Sequence, residues 1–219
     1  ISPTTFIPLL EQSGLIEQIT TRMINEAVRV SVMLRQRNIV CSISVNVATY
    51  DLIDANLSAI ILNALRKYGG HPSDLRLELT ETAVASDPQR IKQVLSELAA
   101  LGVGASVDDF GTGYSSLSYL SMCPLKELKI DRSFVTDMLT NSRNHSLVRS
   151  TILMAKELGL SAVAEGVEDD QTLQMLRKDG CDYAQGFVIA KPMNEIDFIE
   201  FMRAHANELF DVSQFIKRQ

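Results

Sequence analysis

Apolar positions along this chain recur with two periods, and the two take turns. Ile16, Ile19, Met23, Ala27, Val30 and Leu34 are spaced by three to four residues, which predicts an amphipathic helix over 16–37. Val40 to Asn46 alternates instead. Cys41, Ile43 and Val45 fall on one face and Ser42, Ser44 and Asn46 on the other, the pattern of a strand. Leu57 to Tyr68 returns to helical spacing and stops at Gly69-Gly70. Leu75 to Thr80 is again a strand. Asp87-Pro88 then supplies a cap and a proline for the first helical position of a helix that runs to Leu101 and ends at Gly102. Further strands are predicted over 103–108, 125–130, 161–165 and 183–188, and further helices over 5–12, 142–158, 168–178 and 195–209.

About six strands separated by helices predict a parallel sheet in a single α/β domain covering 1–219. Parity chooses between an open sheet and a barrel. An open doubly wound sheet is apolar on both faces. Here Glu78 shares a face with Arg76, and Asp108 with Ser106, while Leu77, Leu79, Val107, Leu128 and Ile130 take the opposite faces. A polar face turned to a common axis fits a modified TIM (β/α)8 barrel. Six strands leave about two of the eight to be found. The opening Ile1-Ser2-Pro3, without Met, leads us to expect them upstream, in an N-terminally incomplete domain.

Composition narrows the partners. Of 219 residues, 46% are hydrophobic and 22% charged, the balance of a globular protein. The formal charge of −6 argues against duplex DNA, which is held by basic surfaces. A small phosphate ligand remains compatible if metal ions reverse the local field. Cys41, Cys123 and Cys181 are odd in number and scattered, and read as buried thiols in a reducing compartment. The three histidines form no zinc pattern with them. No apolar run reaches the roughly 18 residues of a membrane span, and no leader pattern opens the chain. A cytoplasmic location is the expectation, with attachment to a larger membrane protein open.

The candidate chemistry gathers where predicted strands end: Asn46, Glu78, Asp108, Asp109, Glu165 and Gln185, with Lys129 on a strand beside Asp131. In α/β barrels that edge carries the active site. Oxygen donors with few His or Cys suit Mg²⁺ or Mn²⁺. Carboxylates crowded there repel one another unless cations lie between them. From the residues alone an enolase-type barrel, with carboxylates on successive strands and a lysine base, stays open.

The sharpest local pattern is Asp108-Asp109-Phe110-Gly111-Thr112-Gly113-Tyr114-Ser115-Ser116-Leu117. It resembles the signature loop of EAL domains, the cyclic di-GMP phosphodiesterases. Ser44-Val45-Asn46, Glu78-Leu79-Thr80-Glu81, Leu128-Lys129-Ile130-Asp131, Ala164-Glu165-Gly166-Val167-Glu168 and Gln185-Gly186-Phe187 extend the resemblance over essentially the whole chain. It implies a modified (β/α)8 barrel with one antiparallel strand. It implies hydrolysis of one phosphodiester bond of cyclic di-GMP to linear pGpG, with two Mg²⁺ or Mn²⁺ ions, in bacterial signalling. Asn46, Glu78 and Asp108 resemble metal ligands, and Asp109 the contact to a second metal. Lys129 resembles the residue that holds or polarises the attacking water. Glu165 resembles a further ligand or base, and Gln185 a support for water or phosphate. Glu81 resembles the anchor of the Gly-rich loop. A homodimer and upstream sensor or diguanylate cyclase domains are the implied partners. The Glu-Ala-Leu tripeptide that names the family is absent, and is expected upstream of the segment matched by residues 1–16. A receptor that binds cyclic di-GMP without cleaving it is the alternative.

Overall fold

Eleven helices and six strands alternate in the computed structural model, among the residues it describes, 3–53, 56–113 and 117–205. The strands are Ile43–Asn46 (β1), Leu75–Thr80 (β2), Gly104–Phe110 (β3), Glu127–Ile130 (β4), Ser161–Ala164 (β5) and Tyr183–Ala184 (β6). Their order in the sheet is the order of the sequence. β1–β2, β4–β5 and β5–β6 pair in parallel. The expected α/β fold of modified TIM-barrel type is present, with six strands described. The chain divides into two compact units: Ile1–Ser106 with Ser115–Pro124, and Val107–Tyr114 with Leu125–Gln219.

The first unit carries helices Pro3–Ser13 (α1), Ile16–Arg35 (α2), Thr49–Ile53 (α3), Leu57–Tyr68 (α4), Glu81–Ser86 (α5), Pro88–Leu101 (α6) and Leu117–Met122 (α7). α2 packs on α4 and β1. Its Ile24, Val28 and Leu34 are fully buried, as are Ile61 of α4 and Leu77 and Leu79 of β2. Burying each such side chain contributes about 1.5–3 kcal/mol. The boundaries of α4 and α6 fall where the punctuation places them. Gly69 and Gly102 both end their helices in the left-handed conformation. Asp87 caps α6 by accepting from Arg90 N at 3.1 Å. β2 alternates as read, with Leu75, Leu77 and Leu79 buried and Arg76 and Glu78 half-buried between them.

The second unit carries Arg132–Val135 (α8), Ser142–Glu157 (α9), Asp170–Asp179 (α10) and Glu195–Ala204 (α11). Val148, Ile152 and Ala155 of α9 are buried, and α9 packs on β4 and β5. Cys123, in the first unit, and Cys181, in the second, are buried as read, whereas Cys41 is only half-buried. Burial pushes the Cys181 thiol up to about 12, so it is an inert packing group.

Several strand bounds depart from the reading, β1 starting at Ile43 rather than Val40 and β4 at Glu127 rather than Leu125. β3 runs to Phe110, two residues past Asp108. β5 ends at Ala164, although Glu165 N still donates to Ile130 O at 3.1 Å in ladder fashion. β6 is two residues long rather than six. Alternating Gln185-Gly186-Phe187-Val188 looks like strand, but Gly186 passes against the backbone of Val167. A Cβ there would lie 2.1 Å from Val167 O. The chain instead turns, with Ile189 N donating to Gly186 O. The final helix was expected to reach residue 209; it is described to Ala204, and 206–209 lie outside the described residues.

Candidate active site

Within the first unit, Asn46 and Glu78 end up side by side. They are register partners in the parallel β1–β2 pair, and Val47 N donates to Glu78 O at 3.0 Å. Asn46 is exposed and Glu78 half-buried. Glu81 opens α5 directly after Thr80, whose hydroxyl caps the helix by accepting from Ala83 N at 3.3 Å. Glu81 is not the solvated acid that such a position usually holds, being only 3% exposed. A carboxylate so deeply buried must be hydrogen-bonded, and removing it strands its partners at about 1–3 kcal/mol. Glu81→Ala is therefore expected to lower the melting temperature as well as the activity. An unchanged melting curve and unchanged turnover would show that Glu81 is dispensable.

Within the second unit four predicted residues meet. Lys129, on β4, is 3% exposed. Its Nζ lies 3.1 Å from Asp108 Oδ1 and 2.7 Å from Glu165 Oε1. A buried ammonium needs such partners to offset its lost hydration. Asp108, Asp109 and Glu165 each offer a ligand oxygen, all within 4.8 Å of one another. Among the described residues this is the one such group of potential metal ligands. An all-oxygen donor set of this density fits Mg²⁺ or Mn²⁺.

Asp109 sits at the β3 end in the left-handed region, φ 54°. Aspartate tolerates that conformation better than most side chains. Its N–H donates to Asp108 Oδ1 at 3.0 Å, and its carbonyl accepts from Thr112 Oγ1 at 2.8 Å. This closes the turn into the Gly-rich loop, of which Tyr114–Ser116 lie outside the described residues. Burial raises the Asp109 carboxyl above the ordinary carboxylate value. The charges of Asp108 and Asp131 and a hydrogen bond with the Asp131 side chain add to this, against the opposing pull of Lys129. A raised value means that a cation competes with a proton at Asp109. Apparent Mn²⁺ affinity should fall as pH drops through the region just above the usual carboxylate range. Titrations at stepped pH check this, and a flat profile would contradict it.

Asp131 is the site residue the sequence reading passed over, seen there only as a neighbour of Lys129. Its Oδ1 accepts from Ser133 N at 3.0 Å and caps α8. A cap reads the same as any Asp before a short helix, so its tie to Asp109 carried no sequence signal. Gln185 follows β6 and is exposed. Its N–H donates to Ala164 O at 2.8 Å and its carbonyl accepts from Val167 N at 3.1 Å. Beside it opens a cleft of about 360 Å³, lined by Phe187, Lys191, Met193, Phe198 and Phe201 among others. Its lining is largely apolar and aromatic, with the Lys191 ammonium at its edge.

A family model for the EAL domain matches residues 1–192. The chain belongs to the EAL domain family. Membership sets aside the enolase-type reading. This EAL domain is 39% identical over 194 residues to the bifunctional diguanylate cyclase/cyclic di-GMP phosphodiesterase MucR of Pseudomonas aeruginosa, covering 88% of this chain and 28% of that one. It is 37% identical over 209 residues to the cyclic di-GMP phosphodiesterase NbdA of the same organism, covering 94% and 26%. The chain thus spans about a quarter of the length of these relatives. The solved PaMucR phosphodiesterase in complex with c-di-GMP matches with TM-score 0.87 at 38% identity, over 90% of this chain and 81% of that one. The EAL domain of Mycobacterium smegmatis DcpA matches at 0.78 and 32% identity, over 82% of each.

Proposed function

We propose that this EAL domain hydrolyses one phosphodiester bond of cyclic di-GMP to linear pGpG. The observation that carries the reading is the buried Lys129 ammonium held between Asp108 and Glu165, beside Asp109. Asn46, Glu78, Asp108 and Asp109 are the residues we assign to holding two Mg²⁺ or Mn²⁺ ions, with Glu165 as a further ligand or the base. When bound, such ions lower the pKa of a water and neutralise charge on the scissile phosphate.

The chain's own groups supply the rest. Lys129 orients the attacking water with the protons of its ammonium. Glu165, in contact with that ammonium, accepts the proton the water loses. The new bond joins water oxygen to phosphorus, the bond from phosphorus to the 3′-oxygen breaks, and that oxygen takes a proton from solvent and leaves as a hydroxyl. Gln185 supports the water or the phosphate. The aromatic cleft next to Gln185 accommodates a guanine ring. Glu81 anchors the Gly-rich loop.

We place the domain in the cytoplasm of a bacterial cell, as part of a homodimer within a longer signalling protein. Among the described residues no helix is long and apolar enough to cross a membrane.

Metal removal tests the reading. Turnover of cyclic di-GMP should require Mg²⁺ or Mn²⁺ and stop in excess EDTA. Ca²⁺, larger and looser in geometry, should inhibit. Full turnover in EDTA would sink the metal-dependent mechanism. Tight binding of cyclic di-GMP with no pGpG in Mn²⁺ would make the domain a receptor.

A further inference from the structure

The carboxylates of the second unit come from two different strand ends, β3 and β5, and something must fix the spacing between them. α8 touches both. On one side Phe134 lies against Gly111 in the loop after β3. A Cβ on Gly111 would sit 2.9 Å from Phe134 Cε2. On the other side Arg132 lies against Gly166 in the turn after β5. A Cβ there would sit 2.5 Å from Arg132 Cβ. Both glycines also have positive φ, 97° and 68°. Each contact is therefore as close as the lack of a side chain allows.

α8 is itself held from behind. Val135 is fully buried, Asn144 Nδ2 of α9 donates to Ser133 O at 3.4 Å, and α8 packs along α9. Its cap is Asp131, whose negative charge acts on the Asp109 carboxyl. A helix of four residues has no stability of its own. Its place is set by these contacts, and it passes that placement on to the two loops.

We infer that α8 is the spacer that sets the Asp108–Asp109 loop against Glu165, with Phe134 as the positioning residue that seats the loop through Gly111. The inference rests on the metal site proposed above, and asks what holds its ligands in register. Phe134 acts only through the loop, so its loss should be felt as weakened metal binding and slowed chemistry, not as loss of substrate affinity.

The test uses the full-length protein. Mn²⁺ binding is followed by calorimetry, kcat and KM by pGpG release, and folding by the melting temperature, for wild type, Phe134→Ala and Phe134→Leu. Phe134→Ala should weaken Mn²⁺ binding about tenfold, as loss of an outer support does. It should lower kcat on the order of 100-fold, the effect of about 1 Å of misplacement, with KM within about twofold. Phe134→Leu keeps enough bulk against Gly111 to recover most of both. Unchanged Mn²⁺ affinity in folded Phe134→Ala while only the melting temperature falls would overturn the inference, since that is what a merely structural phenylalanine does. Equal loss in Phe134→Leu and Phe134→Ala would overturn it too. A wild-type protein that binds Mn²⁺ and cyclic di-GMP without making pGpG would end the hydrolase reading, yet the Mn²⁺ titrations would still decide the role of α8.

Discussion

Asp108→Asn is expected to abolish turnover. The substitution is close in shape, and an amide oxygen can still accept from Asp109 N, so the turn at the β3 end survives. What goes is the negative charge. Asp108 is one of two carboxylates on the Lys129 ammonium and one of three whose oxygens converge within 4.8 Å. A divalent ion bound there loses a charged ligand, and with it part of the several kcal/mol by which such an ion stabilises the transition state. Since about 1.4 kcal/mol is tenfold in rate, the fall in kcat should exceed about 100-fold. Without metal the melting temperature of the variant should change little, because relief of the repulsion on Asp109 is offset by the weaker, uncharged acceptor left to the buried Lys129 ammonium. Its Mn²⁺-induced rise in melting temperature should be lost. Near-normal kcat in Asp108→Asn would show that the β3 end is not where the chemistry happens.

Lys129→Met should separate stability, binding and turnover in a way the acids do not. Methionine fills similar volume but leaves Asp108 and Glu165 facing each other without the ammonium. Breaking a buried pair on one side costs about 3–5 kcal/mol. The two carboxylates keep some solvent contact, with side-chain exposures of 13% and 17%, so the lower end of that range applies. In a chain of this size that is a fall in melting temperature on the order of 10 °C without metal. Mg²⁺ or Mn²⁺ should restore most of it, because a divalent ion takes over the neutralising role. Cyclic di-GMP should still bind while kcat falls on the order of 100-fold. A variant that neither binds nor regains its melting temperature in Mn²⁺ would mark Lys129 as a folding residue alone.

Long elements were readable because their signals are redundant. β2 coincides with its prediction since Leu75, Leu77 and Leu79 alternate with polar residues and all three are buried. α6 coincides because a cap, a proline and a terminal glycine agree with its periodicity. The short helices α3, α5 and α8 were not foreseen. Four to six residues do not span two turns, so no period of 3.6 can be seen in them. α8 matters most among these, since it is the element that touches both carboxylate-bearing loops.

The site was readable to a different depth at each residue. Lys129 could be placed on a polar face by parity, since Leu128 and Ile130 flank it, but its two carboxylate partners come from residues 21 and 36 positions away in sequence. Only the fold brings them together. The overlong β6 shows the converse error. Its alternation is genuine, yet the close passage of Gly186 against Val167 is a tertiary contact that no local pattern announces. Glu81 was marked in the sequence only by its resemblance to a loop anchor, and only the packing around it reveals that it is buried.

The central claim is that these residues direct water onto phosphorus. Cyclic di-GMP is incubated with the full-length protein and Mn²⁺ in ¹⁸O-labelled water, and the product is read by mass spectrometry. The account predicts linear pGpG carrying one ¹⁸O atom, located in its 5′-phosphate. Recovery of intact, unlabelled cyclic di-GMP from protein that has bound both nucleotide and Mn²⁺ would contradict it.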